Sequence, residues 1–213
     1  EALRPLSGLA GPRAARLEGL ARMHRGDFDP AIGCFSRTLS EWPEDGEARH
    51  YRAMARATLA NVEGGGGVDS RGRLREAIGD YEEVIARDPG HVTARTNCAV
   101  ARAMLAKADS ESGADAREGF RKAIEDCAAA IALKPTHGEA YLARGAAWDG
   151  LARAEHFLGV DPREHFRSAI EDFGAMLEHF PRHVTARIGR GVAWWGMADA
   201  EHLRGIDPRT SYR

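Results

Sequence analysis

The chain has 213 residues, 43% of them hydrophobic and 29% charged, with a net charge of −2. These values suit a globular protein with a sizeable core and argue against a strongly basic nucleic-acid binder. No apolar run approaches the ~20 residues that a membrane-spanning helix needs.

The start, EALRPLSGLAGP, lacks the basic residues and apolar core of a signal peptide, so residues 1–11 are expected to be a tail. The absence of an initiator Met suggests a fragment of a longer chain or a processed product. Cys34, Cys98 and Cys127 show no regular spacing, which speaks against a disulfide framework and fits a reducing, cytoplasmic setting. Abundant alanine and arginine with few β-branched residues favour helix throughout.

Four segments then follow one another in register: AIGCFSRTLSEWP (31–43), AIGDYEEVIARDP (77–89), AIEDCAAAIALKP (123–135) and AIEDFGAMLEHFP (169–181). They recur every 46 residues, and the stretches after each Pro repeat too, as PGHVTAR, PTHGEAY and PRHVTAR. The units are about 12–45, 46–91, 92–137, 138–183 and an incomplete 184–213, forming a single domain from residue 12 onward. In the fourth, Phe166, Ile170, Phe173 and Leu177 share one helical face, and Trp148, Leu151 and Leu158 continue a similar face on the preceding helix. Asp161 is an N-cap candidate, Pro162 suits the first helical position and Pro181 ends the helix. Asp69, Asp115 and Asp207 hold the position of Asp161 in the other units. Each unit therefore reads as an antiparallel helix pair that must stack on its neighbours.

This pattern resembles the tetratricopeptide repeat. The fourth unit supplies Tyr141, Arg144-Gly145, Trp148, Ala169, Phe173 and Pro181; the first supplies Ala15, Glu18-Gly19, Arg22, Ala31, Phe35 and Pro43. The resemblance implies an all-α fold of about four and a half helical hairpins in a right-handed superhelix. One departure stands out. Gly19 and Ala31 are 12 residues apart, but the same interval is 24 in the next three units. Six residues added to each helix would lengthen it by about 9 Å.

The glycine run in EGGGGVDSRG (63–72) lacks the Gly-Lys-Ser/Thr ending of a phosphate loop. By register Gly67 matches Gly113, Gly159 and Gly205, all helix-ending glycines at a hairpin turn. Gly64–Gly66 predict a first helix that ends about a turn early in this unit, with a mobile tip.

His91, His137 and His183 recur too far apart to share one metal ion and read as solvent-facing helix-entry residues. Glu155-His156 and Glu201-His202 read as solvated pairs, and Cys98 and Cys127 as small buried residues. No catalytic constellation, cofactor or metal site is expected, and the chain is not expected to be an enzyme.

What the resemblance implies is a groove lined by the first helices. By position, the candidate contacts are His50, Tyr51, Met54, Asn97, Val100, Met104, Leu142, Asp149 and Trp195. Asn97 stands where some relatives clamp a terminal carboxylate, but Glu139 and Ala143 replace the cations such a clamp needs. The expected partner is a protein or peptide segment held by aliphatic or aromatic anchors, with no nucleic acid and no membrane insertion. A second reading is a regulatory or substrate-recruiting region of a larger enzyme, such as a bacterial Ser/Thr protein kinase. Ile188, Val192, Trp194 and Met197 give the incomplete fifth unit an apolar face, which predicts a homodimer or a cover of further sequence.

Overall fold

The computed structural model describes residues 11–206. The first ten residues of the expected tail, Asp207 and the second helix of the fifth unit lie outside the described residues. Those described form nine helices: α1 (Pro12–Arg25), α2 (Phe28–Glu41), α3 (Gly46–Gly65), α4 (Arg71–Arg87), α5 (Val92–Glu111), α6 (Arg117–Leu133), α7 (Gly138–Phe157), α8 (Arg163–His179) and α9 (Val184–His202). The chain divides into two compact units, one up to Asn97 and one from Cys98, with the boundary inside α5.

Helices α1, α3, α5 and α7 each begin a hairpin, and from α3 to α9 the odd-numbered helices start 46 residues apart. The twelve added residues are not shared evenly between the two helices. Helices α3, α5 and α7 have 20 residues against 14 in α1, while α4, α6 and α8 have 17 against 14 in α2. So six residues extend the first helix by about 9 Å and three extend the second by about 4.5 Å. The other three enlarge the turn from two residues to five.

The turn needs that room because it caps both helices. Gly67, Gly113, Gly159 and Gly205 have φ of 80°, 84°, 75° and 70°, where a side chain would be strained. The residue after each glycine donates its N–H back to a carbonyl five positions earlier, as Val68 does to Glu63 at 3.0 Å. Then Asp69, Asp115 and Asp161 each accept the N–H two residues on, at 3.1, 3.1 and 3.2 Å. Arg71, Arg117 and Arg163 fold back onto the same carboxylates. This holds the three acids well below the usual carboxylate range, at about 2, through the arginine side-chain hydrogen bonds. The caps act one residue before the expected site: Ser70, Ala116 and Pro162 occupy the N-cap position itself.

This closure overrides the glycine run. Helix α3 continues through Gly65 and is as long as α5 and α7, contrary to the expected early end. Gly66, Gly67 and Val68 all donate to carbonyls of its last turn, which offsets the poor helix propensity of glycine.

The second helix of each hairpin buries large side chains, and the first helix meets them with small ones. In the unit up to Asn97, α2 buries Cys34, Phe35 and Leu39 along one face, and α4 buries Leu74, Ile78, Tyr81 and Val84. Phe35 lies over Gly19, where a Cβ would come within 2.7 Å of the ring. In the unit from Cys98, α6 contributes Phe120 and Ile124, and α8 contributes Phe166, Phe173 and Met176. Here Gly150 faces Phe120 and Gly196 faces Phe166, with a Cβ reaching 2.3 Å and 2.6 Å from the rings. Glycine or alanine on the first helix lets the aromatic rings approach its backbone, and the packing stays dense.

Buried ion pairs tie the two helices of a hairpin together. Asp80 of α4 accepts from Arg52 at 2.6 Å and also pairs with Arg56; Asp172 of α8 accepts from Arg144 at 2.6 Å. Burial raises the Asp172 carboxyl above its ordinary range, and the Arg144 guanidinium works against that rise.

Two sequence expectations are corrected here. Glu155 is only 4% exposed and receives His165 at 2.7 Å and Arg121 at 3.4 Å, while Glu201 is also buried. Both lie near the end of a first helix; α6 and α8 enclose Glu155, and neither carboxylate is solvated. His91 and His183 do sit at helix entries, where Nδ1 accepts the Ala94 and Ala186 amides at 3.2 Å, yet their side chains are half-buried rather than solvent-facing.

Candidate partner groove

The site-forming feature lies in the unit from Cys98. Helices α5 and α7 leave an open cavity of about 530 Å³ between them. Its apolar walls include Val100, Ala103 and Met104 of α5 and Ala146 of α7, and Phe120 of α6 closes the bottom beside Gly150.

Gly150 shapes this cavity. By the 46-residue register it matches Met104 on α5 and Gly196 on α9. With no side chain there, the Phe120 ring sits against the α7 backbone and the space above stays open. The rim is polar and internally balanced. Arg153 donates to Asp149 at 2.8 Å one turn away on α7, and Lys107 lies 3.8 Å from Glu111 on α5. These pairs border an apolar hollow, an arrangement suited to an uncharged anchor side chain flanked by polar contacts.

Of the nine sequence-predicted contacts, Val100, Met104 and Asp149 line this cavity. Three others point into packing. His50 is 9% exposed, stacked 5.1 Å from His91 and edge-on to Tyr51 and Tyr81, so it is no groove residue. Burial and the neighbouring His91 lower the His50 imidazole to about 4. Tyr51 stacks on Phe35 at 6.0 Å and belongs to the first core. Leu142 packs against the cluster built on Phe166 and Phe173. The reason is common to all three: their faces of the first helices turn toward neighbouring helices, which position counting along the repeat does not separate from the groove face. Met54 and Asn97 are half-buried. Trp195 is 65% exposed on α9 and does not line the cavity.

The sequence reading did not include Phe120, Gly150 or the other rim residues Arg153, Lys107 and Glu111. The signal was present: a glycine replaces Met104 one repeat on, at the position where α6 directs an aromatic ring.

Cys98 and Cys127 are fully buried, and burial pushes the Cys127 thiol up to about 12, far from a reactive thiolate at neutral pH. Among the described residues no group of three or more His, Cys, Asp or Glu could hold a metal ion, and no helix is long and apolar enough to cross a membrane.

The fold is similar to that of solved structures. The crystal structure of MamA protein aligns with a TM-score of 0.60 at 18% identity, over 90% of this chain and 86% of that one. YrrB, described as a TPR protein with an unusual peptide-binding site, aligns with a TM-score of 0.59 at 14% identity, over 84% and 74%. TTC0263, a thermophilic TPR protein in Thermus thermophilus, aligns at 0.51 with 19% identity, over 87% and 100%. No protein-family model and no curated protein matches the chain. The all-α stack of helical hairpins expected from the sequence is thus the tetratricopeptide-repeat fold.

Proposed function

We propose that this chain, built on the tetratricopeptide-repeat fold, is a protein-interaction module whose partner segment docks on the α5–α7 groove. The observation that carries the reading is the open apolar cavity above Phe120, with Val100 and Met104 on one wall and the Asp149–Arg153 pair on its rim. A structural neighbour described as having a peptide-binding site supports the general mode. The partner's contribution is one large aliphatic or aromatic side chain inserted between the helices. Burying such a side chain supplies roughly 1.5–3 kcal/mol. The adaptable thioether of Met104 lets the wall fit differently shaped anchors. Met54 and Asn97 are proposed as contacts in the other unit.

The test is capture of partners from the native host with the wild-type chain and a Met104→Glu variant, followed by peptide mapping of what is bound. Met104→Glu places a charge in the hollow without touching the Phe120–Gly150 contact. Binding that survives Met104→Glu and Val100→Asp together refutes the groove assignment.

A further inference from the structure

The residues that line the α5–α7 cavity recur along each helix with heptad spacing. On α7 they include Ala143, Ala146, Gly150 and Arg153, spaced three, four and three apart; on α5 they include Val100, Ala103, Lys107 and Ser110, spaced the same way. Alternation of three and four is the seam along which one helix receives another lengthwise. An extended segment crossing the helices touches one or two positions on each wall, whereas the α5 wall runs about 16.5 Å from Val100 to Glu111.

The lengthening of the hairpins gives the seam this reach. With Gly145 in register with Gly19, the end of α1 at Arg25 corresponds to Leu151, so residues 152–157 of α7 and 106–111 of α5 are the added ones. Lys107, Glu111 and Arg153 all lie in them. One step of four beyond Arg153, Phe157 continues the α7 seam and is 89% exposed. Its own second helix, α8, is complete and does not cover it. Glu111 holds the same register one unit earlier, is followed by the complete hairpin of α7 and α8, and is exposed too.

Charge sets what meets the middle of the seam. Lys107 and Arg153 occupy matching positions on the two walls, about one turn nearer the tip than Met104 and Gly150. The Lys107 side chain is 74% exposed and meets Glu111 only at 3.8 Å; Arg153 is exposed as well, while its partner Asp149 is largely covered. The surface at this level is cationic, and an acid on the occupant complements it.

We infer that the occupant of the α5–α7 groove is an amphipathic α-helix of a partner protein, laid along the seam, with one apolar side chain over Phe120, a second apolar side chain seven residues away against Phe157, and an acid between them at Lys107 and Arg153. This rests on the groove being the partner site and adds the conformation and chemistry of the segment it takes. The spacing follows from Gly150 and Phe157, which are about 10.5 Å apart along α7; that is two turns of a partner helix but only about three residues of an extended chain. The small side chains of Ala143, Ala146 and Gly150 let the helix approach closely.

The probe is a fluorescein-labelled peptide of about 18 residues, held helical by a lactam bridge on its outer face, with Leu at i and i+7, Glu at i+3 and Ala or Gln elsewhere. Fluorescence anisotropy against the full chain is expected to reach half-saturation below about 500 μM. Met104→Glu and Phe157→Glu each raise the dissociation constant at least tenfold, and Phe157→Glu leaves the helicity unchanged because the ring is exposed. Changing Lys107 and Arg153 together to Glu weakens this peptide and favours the version with Lys in place of its Glu. A linear isomer with a central proline binds at least tenfold more weakly. Equal or tighter binding of the proline isomer, indifference to Phe157→Glu, or no binding of the helical peptide at about 500 μM overturns the inference. Self-association of the chain that Met104→Glu abolishes overturns it too, by making a second copy the occupant. Native partner capture that is lost in Met104→Glu while the helical peptide fails to bind keeps the groove and removes the helix. Capture that survives Met104→Glu and Val100→Asp together removes both.

Discussion

Replacing Gly150 by alanine tests the packing that creates the cavity. A Cβ at this position would lie 2.3, 2.6 and 2.9 Å from three atoms of the Phe120 ring. Contacts that short require the ring to move by about 1 Å or more, and overpacking of this kind costs about 1–3 kcal/mol. Two effects reduce the cost. Alanine is a better helix former than glycine by about 1 kcal/mol. The ring can also lean into the cavity that it borders. The net expectation is a loss of about 1 kcal/mol. The control is Gly79→Ala on α4, where a Cβ meets nothing within 4 Å and the same helix-propensity gain appears alone. The two variants should therefore differ by about 2 kcal/mol, or roughly 4–8 °C in the midpoint of thermal unfolding for a chain of this size. Circular dichroism at 222 nm follows both melts. Equal midpoints for Gly150→Ala and Gly79→Ala would show that Phe120 is not held against α7 and refute the account of the cavity.

Acidification should weaken the unit up to Asn97 through His50. Its imidazole titrates near 4 when folded against an ordinary 6.5, so the folded state resists protonation. The stability this group contributes is present above about pH 6.5 and is lost as the pH falls toward 4, a loss of order 2–3 kcal/mol. Urea midpoints measured across that window should flatten in a His50→Phe variant, and an unchanged slope would count against the buried stack. Asp80→Asn strips the carboxylate that serves both Arg52 and Arg56, and chemical denaturation should show a loss of about 3 kcal/mol or more, as for other broken buried pairs. Replacing His183 by alanine removes the acceptor for the Ala186 amide and should cost about 1 kcal/mol, with faster amide exchange confined to the first turn of α9.

The fold was legible because the repeat carries its own punctuation. Pro43, Pro89, Pro135 and Pro181 mark the end of each second helix, and Gly67, Gly113, Gly159 and Gly205 do adopt left-handed turns at the hairpin tips. The division of the twelve added residues was not legible. Composition alone does not reveal that Asp69 and Gly67 together need a five-residue turn to cap two helices. The glycine run misled for a related reason: intrinsic propensity is a per-residue quantity, while the closing bonds of α3 are cooperative with the turn. Val100, Met104 and Asp149, chosen from position in the repeat, line the α5–α7 cavity, because a simple register aligns the faces of the first helices. His50, Tyr51 and Leu142 instead meet neighbouring side chains, a packing contact that position in the repeat alone does not reveal. Glu155 shows the same limit in a charged residue. Its burial depends on His165 and Arg121, which lie on different helices and are visible as partners only once the hairpins are stacked.

The central claim is that a partner segment enters between α5 and α7. Its most direct measurement is site-specific photocrosslinking in the native host, with a benzophenone side chain at Ala146 on the cavity wall and, for comparison, at exposed Glu125 on α6. The account predicts a discrete crosslinked partner from position 146 that disappears when Met104→Glu is added, and none from position 125. A partner captured from position 125 instead, or crosslinking at 146 that persists with Met104→Glu, contradicts it.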